Sequence, residues 1–132
     1  MSEKVPIKNR SEIVFIYDVR ENNPNGDPLA ENRPRIDEET KTCFVTDVRL
    51  KRTIRDYLQQ HEGQVILIGD FEKDDGTIKM AKDRAEELGV IGAGKDGERV
   101  LLKQCIDARL FGCALPLGEG VRSLQITGPV QF

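Results

Sequence analysis

The sequence is poor in the residues that most catalytic and metal sites need. It has one histidine, three cysteines and no tryptophan, and aromatic residues make up 5% of its 132 positions. Cys43, Cys105 and Cys113 stand in no C-x-x-C spacing, which argues against a structural zinc site. Their odd number fits no paired disulfide framework and points to reduced thiols in a reducing compartment. Only Ser2, Ser11 and Ser123 offer a serine hydroxyl, and none sits in a G-x-S-x-G elbow. His61 falls at the end of a helical pattern, where a capping or solvated imidazole is the ordinary reading. Uncharged apolar runs such as Val65 to Gly69 are far too short to span a bilayer. The opening stretch MSEKVPIKNRSE has no apolar core of the kind a signal peptide carries. The expectation is a soluble, cytoplasmic protein with no membrane partner.

Charge is plentiful but nearly balanced, with 20 Lys plus Arg against 23 Asp plus Glu, a net charge of −3. The total speaks mildly against a nucleic-acid binder, yet its distribution is uneven. Segment 70–87 holds an excess of acids, whereas segment 46–60 sets Arg49, Lys51, Arg52 and Arg55 against only Asp47 and Asp56. A polyanion meets the local field, not the total.

Along the chain, Glu12–Val19 (EIVFIYDV) has the β-branched and aromatic makeup of a central strand, apolar on both faces. The stretch from about Arg20 to Thr42 is rich in N-P, N-G, D-P and R-P steps and reads as one long loop. Such a loop is uncommon in a compact domain and usually functional or disordered. Thr46–Gln60 is the clearest helix: Thr46 or Asp47 caps it, and Leu50, Ile54, Tyr57 and Leu58 recur at helical spacing. Its arginines lie on or beside the opposite face. Gln64–Ile68 reads as a short strand, Ile78–Leu88 as a polar helix, and Glu98–Phe111 as one amphipathic helix. The CALPLGEGV stretch reads as a loop and Ser123–Phe132 as a strand limited by Pro129. The order is most of a split βαβ unit. The predicted class is α+β with a ferredoxin-like core, an antiparallel sheet carrying helices on one face. That core is expected to be incomplete, because the sequence stops at Phe132 within a strand-like run.

Three motifs have competing readings. Gly89, Gly94 and Lys95 approach a P-loop, but Asp96 replaces the hydroxyl that binds Mg²⁺, and a helical pattern rather than a strand precedes the loop. A glycine-rich turn explains it better. The NNPNGD cluster, Asn22–Asp27, is plain turn chemistry, a cation site through Asn25 and Asp27 (though without the pattern of a calcium loop), or a loop whose amides and Asn side chains approach a phosphate. The basic face of the first helix is either a solvated surface or a row of guanidinium groups suited to phosphate.

Four stretches together resemble a known family: RSEIVFIYDVRENNPNGDP (10–28), ENRPRIDEET (31–40), TDVRLKRTIRDYL (46–58), and RLFGCALPL with SLQITGPVQF (109–132). They are similar to the CRISPR-associated "Cas seven" family, in particular its subtype I-B branch, the repeated backbone subunit of Cascade-type complexes. The resemblance implies a RAMP-superfamily fold with an RRM-like core. Residues 1–132 would form the N-terminal part of one such domain, with insertions at about 20–45 and 70–97. It also implies copies of the chain stacked as an open helical filament along one guide RNA (crRNA), beside other Cascade subunits. The target strand would be recognised by pairing to the guide while the protein holds its backbone. No catalytic residue, metal or cofactor is implied. The RNA-facing positions carried over are Arg49, Arg52, Arg55 and Lys51 on the helix, and Arg20, Asn22, Asn25, Arg33 and Arg35 in the loop. Arg49 and Arg52 come first, since Lys51 and Arg55 can instead serve a neighbouring subunit. The rival reading is a metal-dependent endoribonuclease like type III relatives, with Asp27 or Asp37 as the positional candidate.

Overall fold

A computed structural model describes residues 6–116 and 123–132. The chain divides into two compact units between Phe44 and Val45. In the first, Gly26–Asp27 (β1) and Arg33–Pro34 (β2) pair antiparallel, with Gly26 opposite Pro34 and Asp27 opposite Arg33. A short 3₁₀ turn, Pro28–Ala30, joins them, and a single bridge links Ile36 to Cys43. Among its described residues only Asn25 is buried, and no apolar side chain is. Local turns hold this unit rather than a hydrophobic core.

The second unit carries the core. Helices α1 (Asp47–Gln60), α2 (Ala81–Glu87), α3 (Gly97–Gln104) and α4 (Ile106–Phe111) are followed by an antiparallel hairpin of β3 (Gly112–Leu115) and β4 (Leu124–Thr127). Gly112 pairs with Thr127 and Leu115 with Leu124. Leu67, Ala85, Val90, Leu101, Cys105, Ala108 and Leu115 form one buried cluster, with Val100, Leu124 and Ile126 packed around it. Gly112 has φ +76°, and a Cβ there would overlap the Ile126 carbonyl, so the α4–β3 corner needs glycine.

The α+β class is as the sequence predicts. The ferredoxin-like sheet is not formed among the described residues, which carry two separate two-stranded sheets. Several elements depart from expectation for identifiable reasons. Glu12–Val19 is no strand: it pairs with none of the described residues, and Ile13, Val14, Phe15 and Ile16 are between 72% and 88% exposed. A strand is a property of a pair, and composition supplies only one partner. Gln64–Ile68 joins no ladder either, although Ile66 and Leu67 are buried as a core strand's would be. The Leu67 and Ile68 N–H groups donate to the Asp107 carboxylate at 2.8 and 3.1 Å instead.

The predicted helix Glu98–Phe111 is two helices. Cys105 is extended (φ −93°, ψ 114°), and the Ile106 N–H leaves the helix ladder to donate to the Val65 carbonyl at 3.0 Å. The kink thereby turns the first turn of α4 toward the 65–68 segment. The CALPLGEGV stretch is a loop only in part, since Cys113–Leu115 belong to β3, and residues 117–122 lie outside the described residues. Gly89, Gly92 and Gly94 lie in turns and a 3₁₀ segment after α2, so a helix precedes them and the strand of a P-loop does not. No helix of the described residues is long and apolar enough to cross a membrane.

Candidate nucleic-acid interface

Helix α1 begins where the sequence places it. The Thr46 hydroxyl accepts from the Arg49 N–H at 3.3 Å, and Asp47 stands in the first turn at the positive end of the helix dipole. Leu50, Ile54 and Leu58 are half-buried on the apolar stripe. Tyr57, predicted to belong to that stripe, is 54% exposed.

The basic face is largely neutralised within the fold. Arg55 is buried at 7% exposure, with its Nε 3.1 Å from Asp107 and its guanidinium over the Phe111 ring at 5.1 Å. Asp107 is itself 1% exposed and accepts three hydrogen bonds, from Arg55 and from the Leu67 and Ile68 amides. Arg55 is therefore a structural residue of this unit and leaves the set of RNA-contact candidates. Its charge is spent on a carboxylate 52 residues away, and no local pattern in the helix reveals that partner.

Arg52 is clamped by two carboxylates, Nη2 to Asp70 at 2.6 Å and Nε to Asp56 at 2.8 Å. The Asp70 hydrogen bond, aided by the charge of Asp56, holds the guanidinium even more firmly protonated than an ordinary arginine. Lys51 pairs with Asp47 at 2.9 Å and lies about 6 Å from the Phe111 and Phe132 ring centres. The Lys51 partner in turn pulls the Asp47 carboxyl below its usual range. Arg49 alone among these four is exposed, and it makes no ion pair with any described residue.

The loop residues lie in the first unit. Arg20 meets Asp18 at 3.4 Å and Arg33 meets Glu31 at 3.0 Å, both pairs strongly solvated. Exposed pairs of this kind are weak and open readily. Arg35 and Asp27 form a half-buried pair at 3.4 Å. The NNPNGD cluster is a network of Asx turns. The Asn22 side chain accepts from the Asn23 N–H at 3.2 Å, and Asn23 accepts from the Asn25 N–H at 3.1 Å. The Asn23 side-chain amide donates to the Asn32 carbonyl at 2.5 Å, and a Cβ on Gly26 would overlap the Asn32 side chain. Turn chemistry thus accounts for the spacing. Asn25 is 7% exposed and its Nδ2 finds no partner among the described residues.

The two aspartates of the rival endoribonuclease reading are engaged locally. Asp27 accepts from the Leu29 N–H and pairs with Arg35, and Asp37 accepts from the Glu39 and Thr40 amides. The Thr40 and Glu39 amide bonds hold the Asp37 carboxyl below its ordinary range.

Comparison with known proteins fixes the family. Residues 9–132 match the family described as CRISPR-associated protein Cas7. The chain belongs to the Cas7 family. A curated relative, CRISPR-associated protein Cas7 of Haloferax volcanii, is 37% identical over 113 residues, covering 81% of this chain. The chain spans about a third, 32%, of that relative's length. The Cas7 match takes in the solvated cations of the first unit and all of α1.

Proposed function

We propose that this Cas7 chain is the guide-RNA-gripping part of a non-catalytic backbone subunit in a Cascade-type CRISPR complex. The observation that carries the reading is the family match over residues 9–132; the exposure and pairing of the cations support a ranking among them. Arg49 leads, on a rigid helix and with its charge uncommitted, and Arg20 and Arg33 follow through exposed pairs that a phosphate can displace. Arg52 is second rank, because Asp56 and Asp70 must first be displaced, and Arg55 has no part. Each cation that replaces a counterion along the guide adds to affinity without reading sequence, so that base pairing alone selects the target. Copies of the same subunit and other Cascade proteins are the expected partners. On this reading the bare apolar segment 12–19 takes its place in a larger RRM-like sheet.

The test is to express the full-length protein with a CRISPR array and identify what co-purifies. The expected result is short array-derived RNA protected from nuclease. Recovery of no RNA, or of unselected cellular RNA, contradicts the reading. Periodic cutting of a complementary RNA in Mg²⁺ by the assembled complex would favour the endoribonuclease instead.

A further inference from the structure

A large aromatic ring on an amphipathic helix normally turns at least partly inward, since its burial removes much apolar surface from water. Tyr57 does the opposite. It is 54% exposed, and its ring lies 5.1 Å centre to centre from the ring of His61, also exposed, at 30°. Its hydroxyl donates to Glu62 Oε1 at 3.2 Å, which fixes the rim of the ring while most of the residue stays open. Arg49, Thr53 and Tyr57 follow one another at four-residue intervals and all three are exposed, so they form a single stripe about 12 Å long. Thr53 is satisfied by the Arg49 carbonyl at 3.2 Å. The stripe has at one end a cation that pairs with no described residue, and at the other two rings beside an acid. Phosphate is drawn to the first end and repelled by Glu62 at the second, whereas a base has a π-face and no charge. A single RNA strand offers both groups, with bases stacked at a rise of about 3.4 Å, well inside the length of the stripe.

We propose that the Tyr57–His61 ring pair is a stacking platform for an unpaired base of a single-stranded RNA whose phosphate is held by Arg49. The inference rests on the RNA-binding reading above. Stacking is indifferent to base identity, which suits a subunit that must accept any guide.

The experiment measures binding of the full-length protein to a fluorescent single-stranded RNA and to an abasic ribose-phosphate chain of equal length. Tyr57→Ala is expected to weaken the base-bearing RNA roughly five- to hundredfold and to leave the abasic chain unchanged. Tyr57→Phe, which keeps the ring, should retain most of the affinity, and an unchanged melting temperature in both variants confirms folding. Arg49→Ala should weaken both ligands. Equal loss on both ligands with Tyr57→Ala, or loss on neither, overturns the platform while wild-type binding keeps the RNA reading intact. A change in self-association alone would make Tyr57 a protein contact and also overturns it. Failure of the wild-type protein to bind either ligand removes the RNA reading and the platform with it.

Discussion

Among the described residues of the second unit, Asp107 is the most deeply buried polar side chain. It is buried, and its carboxylate satisfies Arg55 and two backbone amides of a segment that has no strand partner. Asp107→Ala would leave a buried guanidinium, the buried Leu67 N–H and the partly buried Ile68 N–H without this partner. We expect a loss of about 3–5 kcal/mol in urea unfolding, against a smaller loss for Arg55→Met, which fills similar volume and, although it removes the cationic partner of the buried Asp107 carboxylate, leaves that carboxylate its two amide donors. A second residue-scale prediction concerns the thiols. Burial, reinforced by the nearby Asp107 charge, pushes the Cys105 thiol up to about 11, so it stays neutral and enclosed at pH 8. Cys43 is exposed. Iodoacetamide on the folded protein should modify Cys43 and spare Cys105 until denaturant is added, as peptide mass mapping would show. Early modification of Cys105 would contradict its placement in the core.

At the scale of elements, α2 depends on a carboxylate. Asp83 bonds Lys73 Nζ at 2.8 Å and accepts from the Met80 N–H at 2.8 Å, which closes the helix start. Lys73 first, then the Met80 amide, hold its pKa below the ordinary 3.8. A depressed carboxyl stabilises the fold above the unfolded value and loses that contribution as pH falls through the folded one. The α2 amide resonances should therefore shift together below about pH 4, and Asp83→Asn should remove the transition. If the variant keeps it, another group is responsible. Helix α1 was legible because its signals are local: a Thr cap, an apolar stripe and cations on the remaining face. The α3–α4 kink was not, since the Val65 carbonyl that takes the Ile106 amide lies some forty residues earlier. The same holds for the site. The type and spacing of its arginines were readable, but the acids that disarm them, Asp70 and Asp107, are 18 and 52 residues away. Tyr57 was misplaced for a related reason: helical spacing puts it at the border of the apolar stripe, and only the packing of the neighbouring elements decides which side it takes.

For the whole molecule, the two units differ in kind. Among the described residues all the buried apolar side chains lie beyond Val45, and the first unit rests on turns and bridges. Hydrogen exchange on this chain should show rapid exchange from residue 6 to 44 and slow exchange in α1, α4 and β3. Comparable protection in both halves would contradict this division. The exposed run Ile13–Ile16 also makes the isolated chain prone to self-association.

The central claim is that Arg49 meets RNA while Arg55, buried against Asp107, does not. The most direct test is the salt dependence of single-stranded RNA affinity for the full-length protein and its Arg49→Ala and Arg55→Met variants. The account predicts a slope lower by about 0.7 for Arg49→Ala and an unchanged slope for Arg55→Met. An unchanged slope for Arg49→Ala, or a drop for Arg55→Met in a protein that is still folded, would contradict it.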